Sequence, residues 1–535
     1  MSFSKTDHWI SNNILPRKQQ VQALEWFLAN QDKKYFFLEL PVGTGKSYVG
    51  LSIAKILANR PGGGYGSYVL TPQRILQEQY EQTAREHVIS LYGKSNYPCD
   101  SKNTTCDIGS LIEEPSCKDC GTCPHQQAFA TAQATRNNLV LNYALALTLF
   151  SYVPQFTKRN VMVFDECHNL ERFLIEFGSP SISKRRCDKA KVLLPVGNEP
   201  RTIIDWIASH YKPGIQRYIN ELEDIESEIA TRGSNLSQAD KIVLRELASY
   251  SDHLNEINRL LKLSADWAYF STQYVLTRDN QSIMFKPLKA NKQFQTICEP
   301  KAEKFVFMSA TILDHQLMCE NLGIDPSETA FLSVDSEFPV ENRPVFYLPQ
   351  MKMNFKWNEP ENKSGRASLL NTIDDLLSEH KSDSGIIHAG NFQISDWLVA
   401  NIKSKTHQIF HHNPTPGMKV DRNKVIQSFM ECTSPAILIS PSITEGLDLK
   451  DDLSRFAVIV KVPYKNLQDA WIKRRMEMSS KWYQLLAITD IIQGCGRVVR
   501  SADDWGVTYI LDESWGYLFN MTSRYIPKWW KAGLH

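Results

Sequence analysis

At 535 residues, 42% of them apolar and 22% charged, the chain has room for roughly three to four domains of about 150 residues, each able to bury a core. A formal charge of +1 excludes a global electrostatic pull on nucleic acid, so any nucleic-acid path must be a local basic groove offset by acid elsewhere. The N-terminus lacks the apolar core of a secretory signal, the most membrane-like run (139–153) is broken by Asn142, Tyr143 and Ser151, and the cysteines are clustered. These features argue against a membrane span and a disulfide scaffold, and lead to the expectation of a cytoplasmic, monomeric protein with no membrane partner.

Continuously apolar runs, each followed by a turn and a helical pattern, predict strands at 35–40 (YFFLEL), 67–72 (SYVLTP), 138–143 (NLVLNY), 161–166 (VMVFDE) and 304–311 (KFVFMSAT). Unbroken apolarity is what strands buried on both faces show, so the pattern predicts a parallel sheet flanked by helices. A second series follows at 385–390 (GIIHAG), 436–441 (AILISP), 456–464 (FAVIVKVPY) and 506–512 (GVTYILD). The fold class is therefore α/β, with two tandem nucleotide-binding lobes and a cleft between them. Two stretches break the rhythm. Residues 93–130 hold five of the eleven cysteines and little periodicity, as a metal-pinned insert would. Residues 176–290 are largely helical in pattern and predict a coiled hairpin or a small helical domain.

The segment LPVGTGKS (40–47) lies between a predicted strand and the helical pattern YVGLSIAKILA. Backbone N–H groups of Gly43, Thr44 and Gly45, with the helix N-terminus, would cradle the phosphates of ATP. Lys46 would neutralise the β- and γ-phosphates and the Ser47 hydroxyl would ligate Mg²⁺. Leu40 stands where the general pattern has its first glycine, so the match is imperfect, but the flanks disfavour a plain strand-to-helix turn. Asp165 and Glu166 close another strand; one carboxylate can hold Mg²⁺ through water and the other can polarise the attacking water. Cys167 is read as a small packed residue. In QGCGRVVR (493–500), Gln493, Arg497 and Arg500 are expected on one helical face by i, i+4 and i+7 spacing. Their guanidinium groups would reach the γ-phosphate from the opposite lobe and report its state to lobe closure. Candidate nucleic-acid backbone contacts are TPQR (71–74) and the loops near Ser309 and Ser442. A non-enzymatic ATP sensor would not need this whole hydrolytic set.

Cys99, Cys106, Cys117, Cys120 and Cys123 offer five thiolates where a [4Fe–4S] cluster or a tetrahedral zinc takes four. The C-x₂-C pair at 117 and 120 has ligand spacing, which serves either metal; Cys106 can be the spare or replace one of that pair. His125 is read as a packed or solvated residue.

These elements together resemble the superfamily-2 XPD/DinG-type helicases. The resemblance is carried in order by RKQQ (17–20), ELPVGTGKS, TPQRILQEQ (71–79), GKSNYPC (93–99), CPHQQA (123–128), LNYALAL (141–147), FDECHNLE, FMSAT, EGLDL (445–449), KVPY (461–464), QGCGRVVR, DDWGVTYILD (503–512) and IPKWW (526–530). It implies a RecA-like first lobe (1–92, 131–175 and 291–345) interrupted by an iron–sulfur insert (93–130) and a helical arch insert (176–290), then a RecA-like second lobe (346–535). It implies a [4Fe–4S] cluster on Cys99, Cys117, Cys120 and Cys123. It also implies that Gln20 contacts adenine with Arg17 in support, and that Glu445 and Asp448 of EGLDL join the nucleotide-binding set. The implied activity is ATP-driven 5′→3′ travel on single-stranded DNA with unwinding of duplex DNA. A translocase that strips proteins without unwinding is the alternative.

Overall fold

The computed structural model describes residues 4–11, 13–60, 66–100, 103–110, 123–231, 236–411, 422–441, 451–496, 499 and 504–535. The chain opens with helix Lys18–Ala29 and strand β1 (Tyr35–Glu39), then helix Lys46–Ala58, β2 (Ser67–Thr71), helix Arg74–Ala84 and β3 (Val88–Ser90). A short ribbon of β4 (Pro98–Cys99) and β5 (Thr104–Thr105) follows, and the chain returns with helix Pro124–Ala134, β6 (Asn138–Asn142), helix Tyr143–Tyr152 and β7 (Arg159–Asp165). A second excursion carries β8 (Ser181–Ser183), a run of helices, β9 (Tyr274–Arg278) and β10 (Ser282–Pro287), before β11 (Ala302–Ser309) and β12 (Thr329–Ser333). Seven of these strands form one sheet in the order β12-β1-β11-β7-β2-β6-β3, with every pairing parallel.

Both faces of this sheet are covered, as its apolar runs require. Along β1, Tyr35 and Phe37 face one core while Phe36 and Leu38 face the other. Phe37, Phe307 and Phe164 stack across three adjacent strands at centroid separations of 4.6 and 4.9 Å, each such pair adding about 0.5–1.5 kcal/mol beyond area burial. Helix Lys46–Ala58 packs so closely on the other face that a Cβ on Gly50 would lie 2.9 Å from Met308 and 3.0 Å from Val163.

The second lobe holds β13 (Val345–Met351), β14 (Gly385–His388), β15 (Gln408–His411), β16 (Ala436–Ser440), β17 (Phe456–Ile459) and β18 (Val507–Asp512). They form another parallel sheet in the order β13-β18-β17-β14-β16-β15. Its core runs into the first lobe, for Ala310, Leu313 and Leu317 pack with Leu485, Ile488 and Ile492 of helix Ser480–Cys495. The expected strand 456–464 ends at Ile459, and the expected strand 138–143 gives up Tyr143 to the next helix, which Asn142 caps by accepting from Leu145 N at 2.9 Å.

The stretch between β8 and β9 is mostly helical, as its pattern predicts. Helices Lys212–Thr231 and Gln238–Ser264 pack through Ile215, Ile219 and Leu222 against Leu247, Tyr250, Ile257 and Leu260. Ser237 and Asp240 form a reciprocal capping box at the start of the second helix. The antiparallel sheet β8-β10-β9 beside them is an addition to the sequence reading, its hairpin turned by Asp279, whose carboxylate accepts from Gln281 N and Ser282 N. The aromatics here are core: Tyr211 is fully buried and hydrogen-bonded to His253, with Trp206 stacked on it, and the Tyr218 hydroxyl pairs with Lys189 and Glu246. The two excursions touch each other, with Ile108 packed against Ile229 and Leu244. Among the described residues no helix is long and apolar enough to cross a membrane.

Candidate nucleotide site

The first sheet presents its carboxyl edge to the cleft, and β1 leads directly into the glycine loop. Leu40 N donates to Ser309 O at 2.9 Å, fixing the loop's start between β1 and β11. Gly43 and Gly45 have φ of 79° and 76°, a backbone that favours glycine, and a Cβ on Gly45 would meet Gln20 Nε2 at 2.6 Å. Gln20 is buried, and its amide donates to Thr44 O at 2.8 Å while its oxygen accepts from Arg17 N at 2.8 Å. The Arg17 guanidinium donates to Gly43 O. Arg17 and Gln20 thus hold the loop backbone in shape. Ser47 lies in the first turn of helix Lys46–Ala58, whose unpaired N–H groups favour an anion in front of them.

Across the loop, Lys46 Nζ lies 3.2 Å from Glu166 Oε1. Glu166 takes φ of 49°, a strained conformation for a non-glycine residue that turns its carboxylate toward the loop. Asp165 is 4% exposed, and its oxygens accept from Glu166 N at 3.1 Å and from the Tyr80 hydroxyl at 3.2 Å. Burial, with Glu166 beside it, pushes the Asp165 carboxyl up to about 6 against the pull of Lys46. Two adjacent carboxylates, one of them buried, next to the Ser47 hydroxyl make a donor set that fits Mg²⁺. Tyr143 donates to Asp165 O at 2.8 Å and seats the strand end. Cys167 is fully buried behind the carboxylates and its thiol is pushed well up by burial.

From this pair a line of polar contacts runs to the second lobe. The Asn169 amide lies 2.9 Å from His168 Nε2 and can only donate, so Nδ1 carries the proton. That Nδ1 is 2.8 Å from Ser309 Oγ and 3.4 Å from Glu166 Oε2. Thr311 N donates to Ser309 Oγ at 3.1 Å, and Gln493 Nε2 of the second lobe donates to Thr311 Oγ1 at 2.9 Å.

Three of the clustered cysteines are described, and all are buried: Cys99 on β4, Cys106 opening the short helix Cys106–Gly109, and Cys123 preceding helix Pro124–Ala134. Cys106 N donates to Tyr97 O at 2.9 Å, which folds its helix back on the ribbon, and a Cβ on Gly109 would lie 2.4 Å from Cys99 Sγ. Cys117 and Cys120 lie outside the described residues. Among the described residues no group of three or more His, Cys, Asp or Glu gathers as a metal site would require. The described thiols alone therefore do not make a four-thiolate site. His125 packs edge-on against Tyr97, with centroids 5.2 Å apart.

A helicase C-terminal domain family model matches residues 387–533, and a model of the type III restriction enzyme res subunit matches residues 13–183. The chain is 22% identical over 258 residues to the ATP-dependent DNA helicase YoaA of Escherichia coli, covering 45% of this chain and 38% of that protein. It is 22% identical over 249 residues to the ATP-dependent DNA helicase DinG of Photobacterium profundum, covering 43% of this chain and 34% of that protein. The matched segments thus span well under half of these relatives. In fold it is similar to the apo form of XPD, with a TM-score of 0.58 at 15% identity over 96% of this chain and 98% of the other. It is likewise similar to Xpd4 of S. tokodaii, with a TM-score of 0.55 at 14% identity over 97% of this chain and 100% of the other. The chain is similar to the XPD/DinG-like helicases of superfamily 2.

In this XPD/DinG-like chain the structure brings together Arg17, Gln20, Gly43, Thr44, Gly45, Lys46, Ser47, Asp165, Glu166 and, through Thr311, Gln493. Glu445, Asp448, Arg497, Arg500 and Ser442 lie outside the described residues. Among the described residues, the helical run expected from Gln493 onward stops short. The helix ends at Cys495, where Gly496 caps it, and Val499 is not helical; two glycines within three residues weaken the last turn. Sequence reasoning passed over Tyr80, Tyr143 and His168. Tyr80 belongs to no motif and is placed by the fold, whereas Tyr143 stands within LNYALAL and His168 could have been weighed as the fourth letter of the DECH box.

Proposed function

We propose that this chain is an ATP-driven DNA helicase that travels 5′→3′ on single-stranded DNA and separates the duplex ahead of it. The observation that carries the reading is the line from Glu166 through His168, Ser309 and Thr311 to Gln493. It ties the carboxylate nearest the expected γ-phosphate to the opposite lobe, which is what a motor driven by lobe closure needs. The relatives that carry the name DNA helicase favour DNA as the track.

In this reading Lys46 leaves Glu166 for the β- and γ-phosphates when ATP arrives, and Glu166 is released to orient the attacking water. Ser47 and Asp165 would hold Mg²⁺, which supplies charge neutralisation on the phosphates. Arg497 and Arg500 are assigned to the γ-phosphate, Glu445 and Asp448 to the nucleotide-bound closure, and Gln20 with Arg17 to the adenine side of the loop. Separating each base-pair step costs about 1.4 kcal/mol, so closure must be coupled to movement along the strand. The first lobe is assigned to 1–92, 131–175 and 291–345, the second to 346–535, and the inserts at 93–130 and 176–290 to the walls that part the strands. Cys99, Cys117, Cys120 and Cys123 are assigned to a [4Fe–4S] cluster that cross-links its insert; no step of the ATP cycle runs through it. The motor acts as a monomer in the cytoplasm.

The test is ATP-dependent strand displacement by anaerobically purified protein on 5′-tailed, 3′-tailed and blunt duplexes, with Lys46→Ala as control. Displacement of the 5′-tailed duplex alone, lost in the variant, supports the reading and its polarity. DNA-stimulated hydrolysis without displacement on any substrate replaces it with a translocase, and no hydrolysis at all replaces it with a nucleotide sensor.

A further inference from the structure

Helix Arg74–Ala84 reaches three different parts of the first lobe. At its start, Arg74 donates to Asn96 Oδ1 at 2.6 Å and lies over the Tyr92 ring at 5.4 Å, both on the approach to the cysteine ribbon. One turn on, the fully buried Gln77 donates from Nε2 to Leu91 O and Val140 O, each at 3.2 Å, and accepts from Asn142 at 3.4 Å. Another turn on, Tyr80 is 1% exposed and its hydroxyl reaches Asp165 Oδ2 at 3.2 Å. Residues three apart are neighbours on a helix surface, so Gln77 lies between Arg74 and Tyr80 and the three contacts belong to one rigid element.

A phenol has one proton to give. Asp165, as a carboxylate, only accepts, so the Tyr80 O–H donates to it. The other oxygen accepts from Glu166 N at 3.1 Å, so the carboxylate is held from both sides while each oxygen keeps a lone pair for a metal. We propose that Tyr80 is a positioning residue for Mg²⁺, orienting the Asp165 carboxylate that would bind it. The proposal rests on the reading of Ser47 and Asp165 as the magnesium pair. Partners in this outer position govern how well the ligands are aligned, and their loss typically weakens metal binding 10- to 100-fold. Because Gln77 anchors the same helix to the sheet, the phenol cannot follow the carboxylate if it swings, and the orientation is set before the metal arrives.

The experiment is titration of Mg²⁺ against binding of a fluorescent, non-hydrolysable ATP analogue, comparing wild type with Tyr80→Phe. The variant keeps the ring and its packing and removes one oxygen. The expected result is a rise of about 10-fold in the Mg²⁺ concentration that half-saturates the metal-dependent binding, with metal-free nucleotide affinity unchanged. Wild-type Mg²⁺ dependence in a folded variant overturns the proposal. A second measurement uses the wild type alone. Adding Mg²⁺ to the nucleotide-bound protein is expected to perturb the near-ultraviolet spectrum of a buried tyrosine, and no tyrosine difference signal also overturns the proposal. A wild type that binds no nucleotide would instead sink the proposed function, so the two failures are distinguishable.

Discussion

Arg475 of the second lobe is buried against Glu171 of the first, with Nη2 2.6 Å from Oε1. Its other nitrogen donates to Leu288 O, and the guanidinium lies 4.3 Å from the Trp482 ring centroid. Glu171 also accepts from Trp482 Nε1 at 3.2 Å and from Asn321 at 3.4 Å. Glu171 stands in the first turn of the helix that follows the acidic pair, so this clasp fastens the second lobe one turn from the chemistry.

Breaking one side of a buried ion pair costs about 3–5 kcal/mol because the other side is left in the interior. Arg475→Ala is therefore expected to loosen the two lobes without unfolding either. A calorimetric scan should show the wild-type transition split into two, and limited proteolysis should cut between the lobes sooner. A single, unshifted transition in the variant would show that the apolar seam around Ala310, Leu313 and Leu317 holds the lobes by itself.

At the nucleotide site, the Lys46–Glu166 pair separates binding from hydrolysis. Glu166→Gln keeps shape and removes the charge that polarises water, so the hydrolysis rate should fall about 10²- to 10⁴-fold with nucleotide affinity retained. Lys46→Ala should lose both. Equilibrium binding of a fluorescent nucleotide beside a phosphate-release assay distinguishes the two. Equal loss of affinity in both variants would mean that Glu166 serves the loop's structure and not the water.

The strands that the apolar runs reveal are the interior strands of both sheets. The four that they miss, β3, β12, β13 and β15, are the four sheet edges. An edge strand is covered on fewer sides, so its side chains alternate or are half exposed, as in the Thr329–Ser333 strand, and no continuous apolar run marks it. The glycine loop and the acidic pair are legible because phosphate binding demands particular residues at fixed spacing. Tyr80 and His168 are less so: their roles depend on which helix lies over which strand, and only the three-dimensional register of β1, β7 and β11 supplies that.

In the helical unit, His253 is buried between Arg186 and Tyr211. Arg186 can only donate to its Nδ1 at 3.0 Å, so Nε2 carries the proton toward the Tyr211 hydroxyl at 2.9 Å. Burial, with Arg186 adding to it against the pull of Glu256, holds its pKa below the ordinary 6.5. The unfolded chain then binds the proton first as pH falls, so stability is full above the unfolded value and declines as pH drops through and below it. His125 and His315 are shifted the same way by burial and add to the effect. The Tm difference between wild type and His253→Gln, measured by circular dichroism, should therefore narrow from pH 7.5 to pH 5.5. A gap that widens toward acid would mean that the Glu256 contact wins and His253 is charged in the fold.

Glu39 closes β1 immediately before the glycine loop and is only 3% exposed. One carboxylate oxygen accepts from Leu313 N at 2.8 Å and Ile312 N at 3.1 Å, and the other from Ser333 Oγ at 2.7 Å. It therefore pins the turn after Thr311, where Leu313 is held at φ of 59°, and with it the hydroxyl that receives Gln493. Glu39→Ala strands two buried backbone donors at about 1–3 kcal/mol each, so roughly 2–6 kcal/mol should be lost in chemical denaturation. Glu39→Gln keeps an acceptor for the turn and should lose no more than about half of that. Both variants should bind nucleotide as the wild type does, since neither touches the loop's own donors. DNA-stimulated hydrolysis should fall further in Glu39→Ala than in Glu39→Gln, because the line to the second lobe runs through the turn that Glu39 holds. Equal hydrolysis in the two variants, despite unequal stability, would separate the turn from the coupling and leave Glu39 a purely structural strut.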